Sequence, residues 1–232
     1  MDNPPRAFTL RSVILMLFFI IVIPLLPLLI SGQWSWWQAW AYALVSIFGF
    51  AISRFLARQR HPDILAERAR FLQHPDAKSW DKVLAPLVGI GGGLIPLVAG
   101  LEARIFWPPT FSLLASLVSL LVLVAGYVLG SYALIENRFF SGMVRLQVDR
   151  GQQVVSTGPY RWMRHPGYAG ALVAYLVTPL LLDSTWAFLP VVFLAVSLVI
   201  RTSLEDRVLQ EELAGYREYT GRVRYRLLPG VW

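Results

Sequence analysis

The chain alternates long stretches without a charged residue with shorter segments rich in arginine. Uncharged apolar runs cover residues 12–30, 34–53, 83–101 and 111–135. Because a helix of about 20 apolar residues crosses the hydrocarbon core of a bilayer, each run predicts a membrane-spanning helix. The first run does not predict a removable signal peptide. Its apolar stretch is too long, and Ser31-Gly32-Gln33 is a poor cleavage site.

Two further apolar runs, 166–182 and 184–200, are separated only by Asp183. Ser184 and Thr185 can cap a helix start, so this pair predicts a tight helical hairpin. The sequence therefore predicts an all-α integral membrane protein. It has about six transmembrane helices, the last two forming the hairpin, and a C-terminal cytoplasmic helical tail. A re-entrant hairpin that does not fully span stays open as an alternative.

Basic residues occupy every second polar segment. All 21 Lys and Arg residues except Arg104 lie at the N-terminus, after the second run, after the fourth run or in the C-terminal tail. The positive-inside rule places these segments in the cytoplasm. The formal charge of +7 is then a topological bias, and membrane lipids rather than nucleic acid are the expected partners. We expect a bacterial inner membrane or an endoplasmic-reticulum-like membrane, with both termini cytoplasmic.

The second basic segment also contains a short predicted helix. Residues 63–72 follow the His61-Pro62 turn and have a composition compatible with a helix. We expect this helix to lie at the cytoplasmic face, next to the membrane-spanning helices.

Composition narrows the possible chemistry. The chain is 56% hydrophobic and 15% charged, whereas soluble domains have about 25% charged residues. The sequence has no cysteine and three histidines, and it lacks a His-Glu-x-x-His spacing, so we expect no disulfide, thiol nucleophile or metal site. The acidic residues Glu102, Glu136 and Asp183 lie at the ends of apolar runs, which disfavours a channel or transporter.

Polar residues concentrate first in the segment 156–170, just before the hairpin. A Gly-Pro turn precedes a short helical turn, predicted from Tyr160 to His165 and ended by Pro166. Arg164 can hold a carboxylate through two hydrogen bonds, and His165 can donate another. An interfacial loop in contact with lipid headgroups is the alternative, and composition alone favours it.

The second polar concentration lies in residues 201–212. Arg201 and Glu205 are four residues apart and share a helix face. The carboxylates of this segment could accept hydrogen bonds from ribose hydroxyls or from a ligand amine. A solvated juxtamembrane helix is the alternative.

Together, these two segments resemble the isoprenylcysteine carboxyl methyltransferase family, which is related to the phospholipid methyltransferases. The family's Gly-x-Tyr-x-x-x-Arg-His-Pro-x-Tyr-x-Gly loop is matched at every position from Gly158 to Gly170. The resemblance covers roughly residues 130–232. We therefore interpret the chain as one membrane-embedded domain, with transmembrane helices in residues 1–129 and a catalytic, cofactor-binding half in residues 130–232. The tail residues that match the family are Arg201, Glu205, Asp206, Tyr216, Tyr219, Arg222 and Val223.

The resemblance implies S-adenosylmethionine as the cofactor and a cytoplasmic cofactor site. It implies methyl transfer to a lipophilic small-molecule or lipidated acceptor, with a carboxylate favoured and no metal needed. By resemblance, Arg201 faces the acceptor's carboxylate and is catalytic together with Arg164. Gln152 stands where the prenylcysteine enzymes tend to carry histidine. The cofactor-binding residues implied are Gln152, Val154, Gly158, Tyr160, Arg164, His165, Tyr168, Glu205 and Asp206.

Three other functions stay open. A phospholipid amine N-methyltransferase would need a base, for which Glu205 or Asp206 is the nearest candidate. An NADPH-dependent sterol-type membrane reductase has a related Arg-His-x-x-Tyr-x-Gly loop, but Pro166 and the short chain favour the methyltransferase. The third is a non-catalytic membrane scaffold. For the methyltransferase, we expect the acceptor to enter through a lateral opening between the fourth helix and the hairpin.

Overall fold

The computed structural model describes residues 17–69, 75–106 and 111–232, and all regular structure in these ranges is helical. This confirms the predicted all-α class. A short π-helical segment, Phe18–Val22, leads into the first helix, and two 3-10 turns cover Val148–Arg150 and Gly158–Arg161. The α-helices are α1 Ile23–Ser31, α2 Trp37–Arg60, α3 Ile64–Ala69, α4 Asp81–Phe106, α5 Leu113–Glu136, α6 Pro166–Leu181, α7 Phe188–Glu212 and α8 Tyr216–Arg222.

Four helices, α2, α4, α5 and α7, are long and apolar enough to cross a membrane. Residues 18–31 and α6 form shorter apolar helices. The 16 residues of α6 extend about 24 Å at 1.5 Å per residue, less than the hydrocarbon thickness of about 30 Å. Residues 12–16 of the first predicted span lie outside the described residues.

The predicted hairpin consists of α6, α7 and the turn between them. Its turn meets the far end of α4, where the backbone N–H groups of Thr185 and Trp186 donate to the Glu102 carboxylate at 3.2 and 2.9 Å. The Asp183 carboxylate also accepts a hydrogen bond from the Phe111 N–H at 2.6 Å. The hairpin therefore extends as deep as the α4–α5 connection. Its second arm ends at Glu212, well beyond the predicted residue 200.

Glycines bring α5 and α6 into backbone contact. A Cβ atom on Gly170 would lie 2.6 Å from the Gly126 carbonyl oxygen and 2.7 Å from the Gly130 nitrogen. Small residues permit this close approach of membrane helices. We expected a lateral opening between the fourth spanning helix, α5, and the hairpin. This prediction is wrong where α5 meets α6, because the two backbones are in contact there and close the groove.

The segments rich in basic residues meet at one end of the helical bundle. Arg145 bonds Glu67 and Asp76, each at 3.0 Å, and joins the connection 137–165 to the segment around α3. Lys78 bonds Glu212 at 2.6 Å, which attaches the C-terminal tail to the same end. The structure thus confirms that the basic segments after α2, after α5 and in the tail share one end. The N-terminal basic segment lies outside the described residues, and the cytoplasmic location of all four stays a prediction.

The predicted cytoplasmic helix is present as α3. It covers Ile64–Ala69, within the predicted range 63–72, of which residues 70–72 lie outside the described part of the chain. Ile64 and Glu67 are buried, because one side of α3 packs on the bundle and the other is solvated. This helix places Arg68 at the basic end of the bundle.

Candidate functional site

A narrow cavity of about 100 Å³ lies at the basic end, among the connection 137–165, the start of α6, α7 and α8. The structure brings eight of the ten predicted site residues to its walls. Gly158 and Asp206 do not line it. The predicted residues that do are Gln152, Val154, Tyr160, Arg164, His165, Tyr168, Arg201 and Glu205.

Asp206 lies behind the cavity wall and is fully buried. Its carboxylate accepts from Arg164 Nε and Nη2 at 2.8 and 2.9 Å, and from Arg226 Nε at 2.9 Å. The Tyr216 hydroxyl donates to it at 3.1 Å, and His165 Nε2 lies 3.3 Å away. Asp206 does not line the cavity, and its predicted part in cofactor binding stays a prediction. Its charge compensates the guanidinium groups that surround it.

Arg164 makes the predicted two-point contact with a carboxylate, but the carboxylate belongs to the protein. Its Nη1 atom donates to the carbonyl oxygens of Val223 and Arg224, both at 3.0 Å. The backbone N–H groups of Arg164 and His165 donate to the Tyr225 and Arg226 carbonyls, both at 2.9 Å. Arg164 therefore attaches the C-terminal segment to the cavity wall, which is a positioning role.

The loop before α6 differs locally from its prediction. The 3-10 turn covers Gly158–Arg161 and ends well before Pro166. Pro166 begins α6 at the first helical position, where its missing N–H costs no hydrogen bond. Gly158 has a φ of +54°, a left-handed conformation that glycine adopts readily. It therefore directs the turn toward Tyr160 without lining the cavity.

Arg201 is buried and bonds Asp81 rather than Glu205. Its Nε and Nη2 atoms donate to the Asp81 carboxylate at 2.7 and 2.9 Å, and Nη2 also donates to the Gly142 carbonyl at 2.8 Å. The Arg201 guanidinium carbon lies 5.3 Å from the centroid of the Tyr168 ring. The sequence analysis missed Asp81, because nothing local links two residues 120 positions apart.

Glu205 and Tyr168 face each other at the cavity. The Tyr168 hydroxyl donates to the Glu205 carboxylate at 2.5 Å, and the Tyr168 ring stacks on His165 at 5.8 Å between centroids. Both residues line the cavity, so their contact narrows it. Glu205 is thus a carboxylate beside an aromatic face, a combination suited to a cationic ligand.

Phenol groups and an amide complete the walls. Asn137 Nδ2 donates to the Tyr160 hydroxyl at 3.1 Å, and the Tyr219 hydroxyl donates to the Tyr160 carbonyl at 2.7 Å. Burial raises the pKa of Tyr160 and of Tyr219, so both are neutral phenols at physiological pH. Gln152 Oε1 accepts from the Gln147 N–H at 2.7 Å and holds its loop in place. The sequence analysis did not include Asn137 in the site, although it follows α5 directly.

The wall contains further residues that sequence reasoning did not assign to the site. They share an apolar or aromatic character, and they come from the connection after α5 and from the tail. Their position depends on the packing of α7 and α8, which no local pattern shows. They are Phe139, Phe140, Met143, Val144, Val155, Val208, Leu209 and Leu213.

The fold and the cavity define a helical membrane protein with a polar, aromatic-lined site at its basic end. Residues 117–212 match the model of the isoprenylcysteine carboxyl methyltransferase (ICMT) family. A probable protein-S-isoprenylcysteine O-methyltransferase from Oryza sativa subsp. indica is 30% identical over 108 residues, which cover 46% of this chain and 53% of the relative. The similarity of this chain to the ICMT family lies in this C-terminal region.

Two other relatives match over different lengths. The uncharacterized protein YpbQ of Bacillus subtilis (strain 168) is 40% identical over 68 residues, 29% of this chain and 40% of the relative. A Delta(14)-sterol reductase from Mus musculus is 26% identical over 152 residues, 60% of this chain and 36% of the relative. The chain spans about half, or less, of the length of the curated relatives it matches.

Proposed function

We propose that the chain is an S-adenosylmethionine-dependent membrane methyltransferase that acts on a lipophilic acceptor, with a carboxylate as the group methylated. The observation that carries this proposal is the cavity itself. Eight of the ten predicted site residues surround it, and most of its lining lies within the region that matches the ICMT family. Its position at the basic end fits a cytoplasmic site beside the membrane, in a bacterial inner membrane or an endoplasmic-reticulum-like one.

The chemistry of the cavity fits S-adenosylmethionine. The aromatic faces of Tyr160 and Tyr168 suit a sulfonium, and the Glu205 carboxylate can accept from an ammonium or from ribose hydroxyls. Apolar side chains, such as Val154 and Leu209, suit an adenine ring. Small-molecule pockets usually enclose about 300–1,000 Å³, so we expect binding to separate Tyr168 from Glu205 and widen the cavity.

When bound, S-adenosylmethionine supplies an electrophilic methyl group. A carboxylate acceptor is ionised near neutral pH and needs no general base, so the protein only has to orient the two partners and exclude water. Arg201 and Arg164 contribute by holding the walls through Asp81 and Asp206. An amine acceptor would have to lose a proton, and Glu205 lines the cavity as a candidate acceptor for it.

The test uses purified protein in lipid nanodiscs. We expect calorimetry to detect S-adenosylhomocysteine, and we expect labelled methyl groups to pass from S-adenosylmethionine to an S-farnesylated cysteine. A methyl ester releases its label in base, whereas an N-methyl product retains it. Glu205→Gln should weaken S-adenosylhomocysteine binding at least tenfold, while Glu211→Gln, an exposed acid on the same helix, should leave it unchanged. A folded protein that gives no calorimetric signal would refute the proposed donor.

The mouse relative makes a reductase the second candidate. Its printed name is that of a sterol reductase, and its match covers more of this chain than the plant match does. This reading predicts NADPH binding and sterol-dependent NADPH oxidation by the same nanodisc sample. We expect neither, and we expect S-adenosylhomocysteine binding instead. If the folded protein binds neither cofactor, the result favours the non-catalytic membrane scaffold.

A further inference from the structure

Arg54 and Arg68 lie near the cavity with no carboxylate bonded to either among the described residues. Arg68 Nη1 donates to the Phe140 carbonyl at 3.2 Å, and its guanidinium carbon lies 5.2 Å from the Phe140 ring centroid. The Arg54 guanidinium carbon lies 3.9 Å over the Phe50 ring, and its Nη1 donates to Ser53 Oγ at 3.4 Å. These neighbours are a carbonyl, a hydroxyl and two rings, and none of them carries a negative charge.

The buried arginines nearby are compensated. Arg201 bonds Asp81, Arg164 bonds Asp206, and Arg145 bonds Glu67. Burying an unpaired charge is costly, so half-buried guanidinium groups without a carboxylate favour an anion from elsewhere. Among the described half-buried arginines, Arg54 on α2 and Arg68 on α3 are therefore the two that carry positive charge without a carboxylate partner.

Arg68 lies next to the cavity wall at Phe140. Arg68 and Arg201 donate to the carbonyls of Phe140 and Gly142, two residues apart in one short segment. The Phe140 ring lines the cavity and fills the space beside Gly167, where a Cβ atom would lie 2.4 Å from it. The Phe140 ring thus lies between Arg68 and the start of α6.

The charge on Arg68 persists at neutral pH. Burial is the main effect that lowers its pKa, to about 10, and the charge of Arg201 contributes in the same direction. Arg54 lies within electrostatic range of Arg68. An anion placed between the two guanidinium groups would offset the energetic cost of burying their charges and would reduce the repulsion between them.

The pair lies near the end of a candidate membrane span. Arg54 is in the last two turns of α2, a candidate membrane span, and arginines at such positions are typical of the membrane–water boundary. Exposed residues next to Arg54 on the same helix include two apolar ones, with Ile52 56% and Phe55 62% exposed. A hydrocarbon chain could therefore lie along α2 while an anionic head group meets Arg54 and Arg68.

We propose that Arg54 and Arg68 form an anion site that binds the carboxylate or phosphate head group of the membrane amphiphile that serves as acceptor. The acceptor then approaches past α2 and α3, and not between α5 and α6. The assignment as an acceptor site rests on the proposed function. The anion site itself is contributed by residues outside the family-matched region 117–212.

The test measures binding of fluorescent amphiphiles to the full chain in nanodiscs made of zwitterionic lipid. The probes are cis-parinaric acid and the uncharged cis-parinaryl alcohol, with dodecyl phosphate and inorganic phosphate as competitors. Wild-type protein should bind the acid at least tenfold more tightly than the alcohol. Arg68→Gln and Arg54→Gln should each remove most of this preference, and Arg68→Lys should retain part of it. Arg58→Gln, which changes an exposed arginine of the same helix, is the matched control.

The outcomes separate the two proposals. If wild-type protein does not distinguish acid from alcohol, or if Arg68→Gln keeps the preference while remaining folded, the anion site is overturned. If inorganic phosphate competes as well as dodecyl phosphate, a free anion is the ligand and the lipid assignment is overturned. S-adenosylhomocysteine binding should be unchanged in all four variants. Its absence in wild-type protein would refute the methyltransferase while leaving the amphiphile preference to be judged separately.

Discussion

Arg164 and Asp206, 42 residues apart in sequence, are joined by two hydrogen bonds of 2.8 and 2.9 Å in the wall of the cavity. One residue immediately precedes the hairpin, and the other lies on its second arm. The pair therefore connects the motif loop to the tail helix, and through Arg164 Nη1 it also holds the C-terminal segment. The loop geometry therefore depends on an internal ion pair.

Removing one partner of this pair should destabilise the protein. Breaking a buried ion pair costs about 3–5 kcal/mol, because the remaining charge stays buried without its counter-charge. We expect Asp206→Asn to lower the free energy of unfolding by about that amount, as measured by denaturant titration in detergent. Arg207→Gln, next to Asp206 but exposed, should have little effect. An Asp206→Asn protein as stable as the Arg207→Gln control would contradict the pair's structural role.

The contact between α5 and α6 should not tolerate a single added methyl group. In Gly170→Ala the new Cβ would lie 2.6 Å from the Gly126 carbonyl oxygen, so the two helices must separate. We expect a clear fall in the thermal midpoint in detergent. The control is Gly89→Ala in α4, where the new Cβ meets no atom within 4 Å and where alanine should be neutral or stabilising by up to about 1 kcal/mol. Equal midpoints for the two variants would refute the close packing.

The contact between Asp63 and two arginines should make stability depend on pH in the acid range. Burial opposes ionisation, but hydrogen bonds from Arg150 and Arg138 outweigh it and lower the pKa of Asp63 to about 2. The folded-state pKa is below the unfolded value of about 3.9. The stabilisation is therefore complete above the unfolded value and is lost as pH falls through the folded one. The difference in thermal midpoint between wild type and Asp63→Asn should shrink between pH 5 and pH 2.

The same pH series on Glu211→Gln provides the comparison, since this exposed acid makes no described ion pair. Its difference from wild type should stay small and flat across the range. If the difference in thermal midpoint between wild type and Asp63→Asn also stays constant with pH, the arginines do not stabilise the ionised form of Asp63.

Local sequence patterns predicted the features of the fold that depend on residues close together in the chain. The helices follow from apolar runs, since every backbone group must be satisfied inside the bilayer, and the hairpin follows from the short polar break at Asp183. The gathering of Gln152, Tyr160, Tyr168 and Glu205 around one cavity agrees with what the family resemblance implies.

The partners of the charged residues could not be predicted in this way. Arg201 shares its helix face with Glu205 as expected, and both line the cavity. Its ionic partner, however, is Asp81 at the start of α4. Asp206 was expected at the ligand, yet it lies behind Arg164. Sequence spacing shows which residues share a helix face, whereas choosing among several carboxylates for one arginine requires the packing of distant helices. The tight α5–α6 contact was missed for the same reason.

The Arg201–Asp81 pair provides a test of whether Arg201 acts by positioning or by touching the acceptor. Asp81 also accepts the Val144 N–H at 2.6 Å, and Arg201 holds the Gly142 carbonyl, so the pair fixes the segment that forms one cavity wall. If Arg201 is a positioning residue, Asp81→Asn and Arg201→Gln should each raise the KM for the methyl acceptor and lower stability. Their double mutant should be little worse than either alone, as expected for two groups that act as one unit.

If Arg201 instead contacts the acceptor's carboxylate, Arg201→Gln should impair methyl transfer much more than Asp81→Asn, and the effects of the two changes should add. A double-mutant cycle on stability, read by denaturant titration, keeps the test independent of the acceptor's identity. A coupling free energy near zero would show that the pair does not act as a unit. We expect instead a coupling of about 1–3 kcal/mol, within the range found for residues in direct contact.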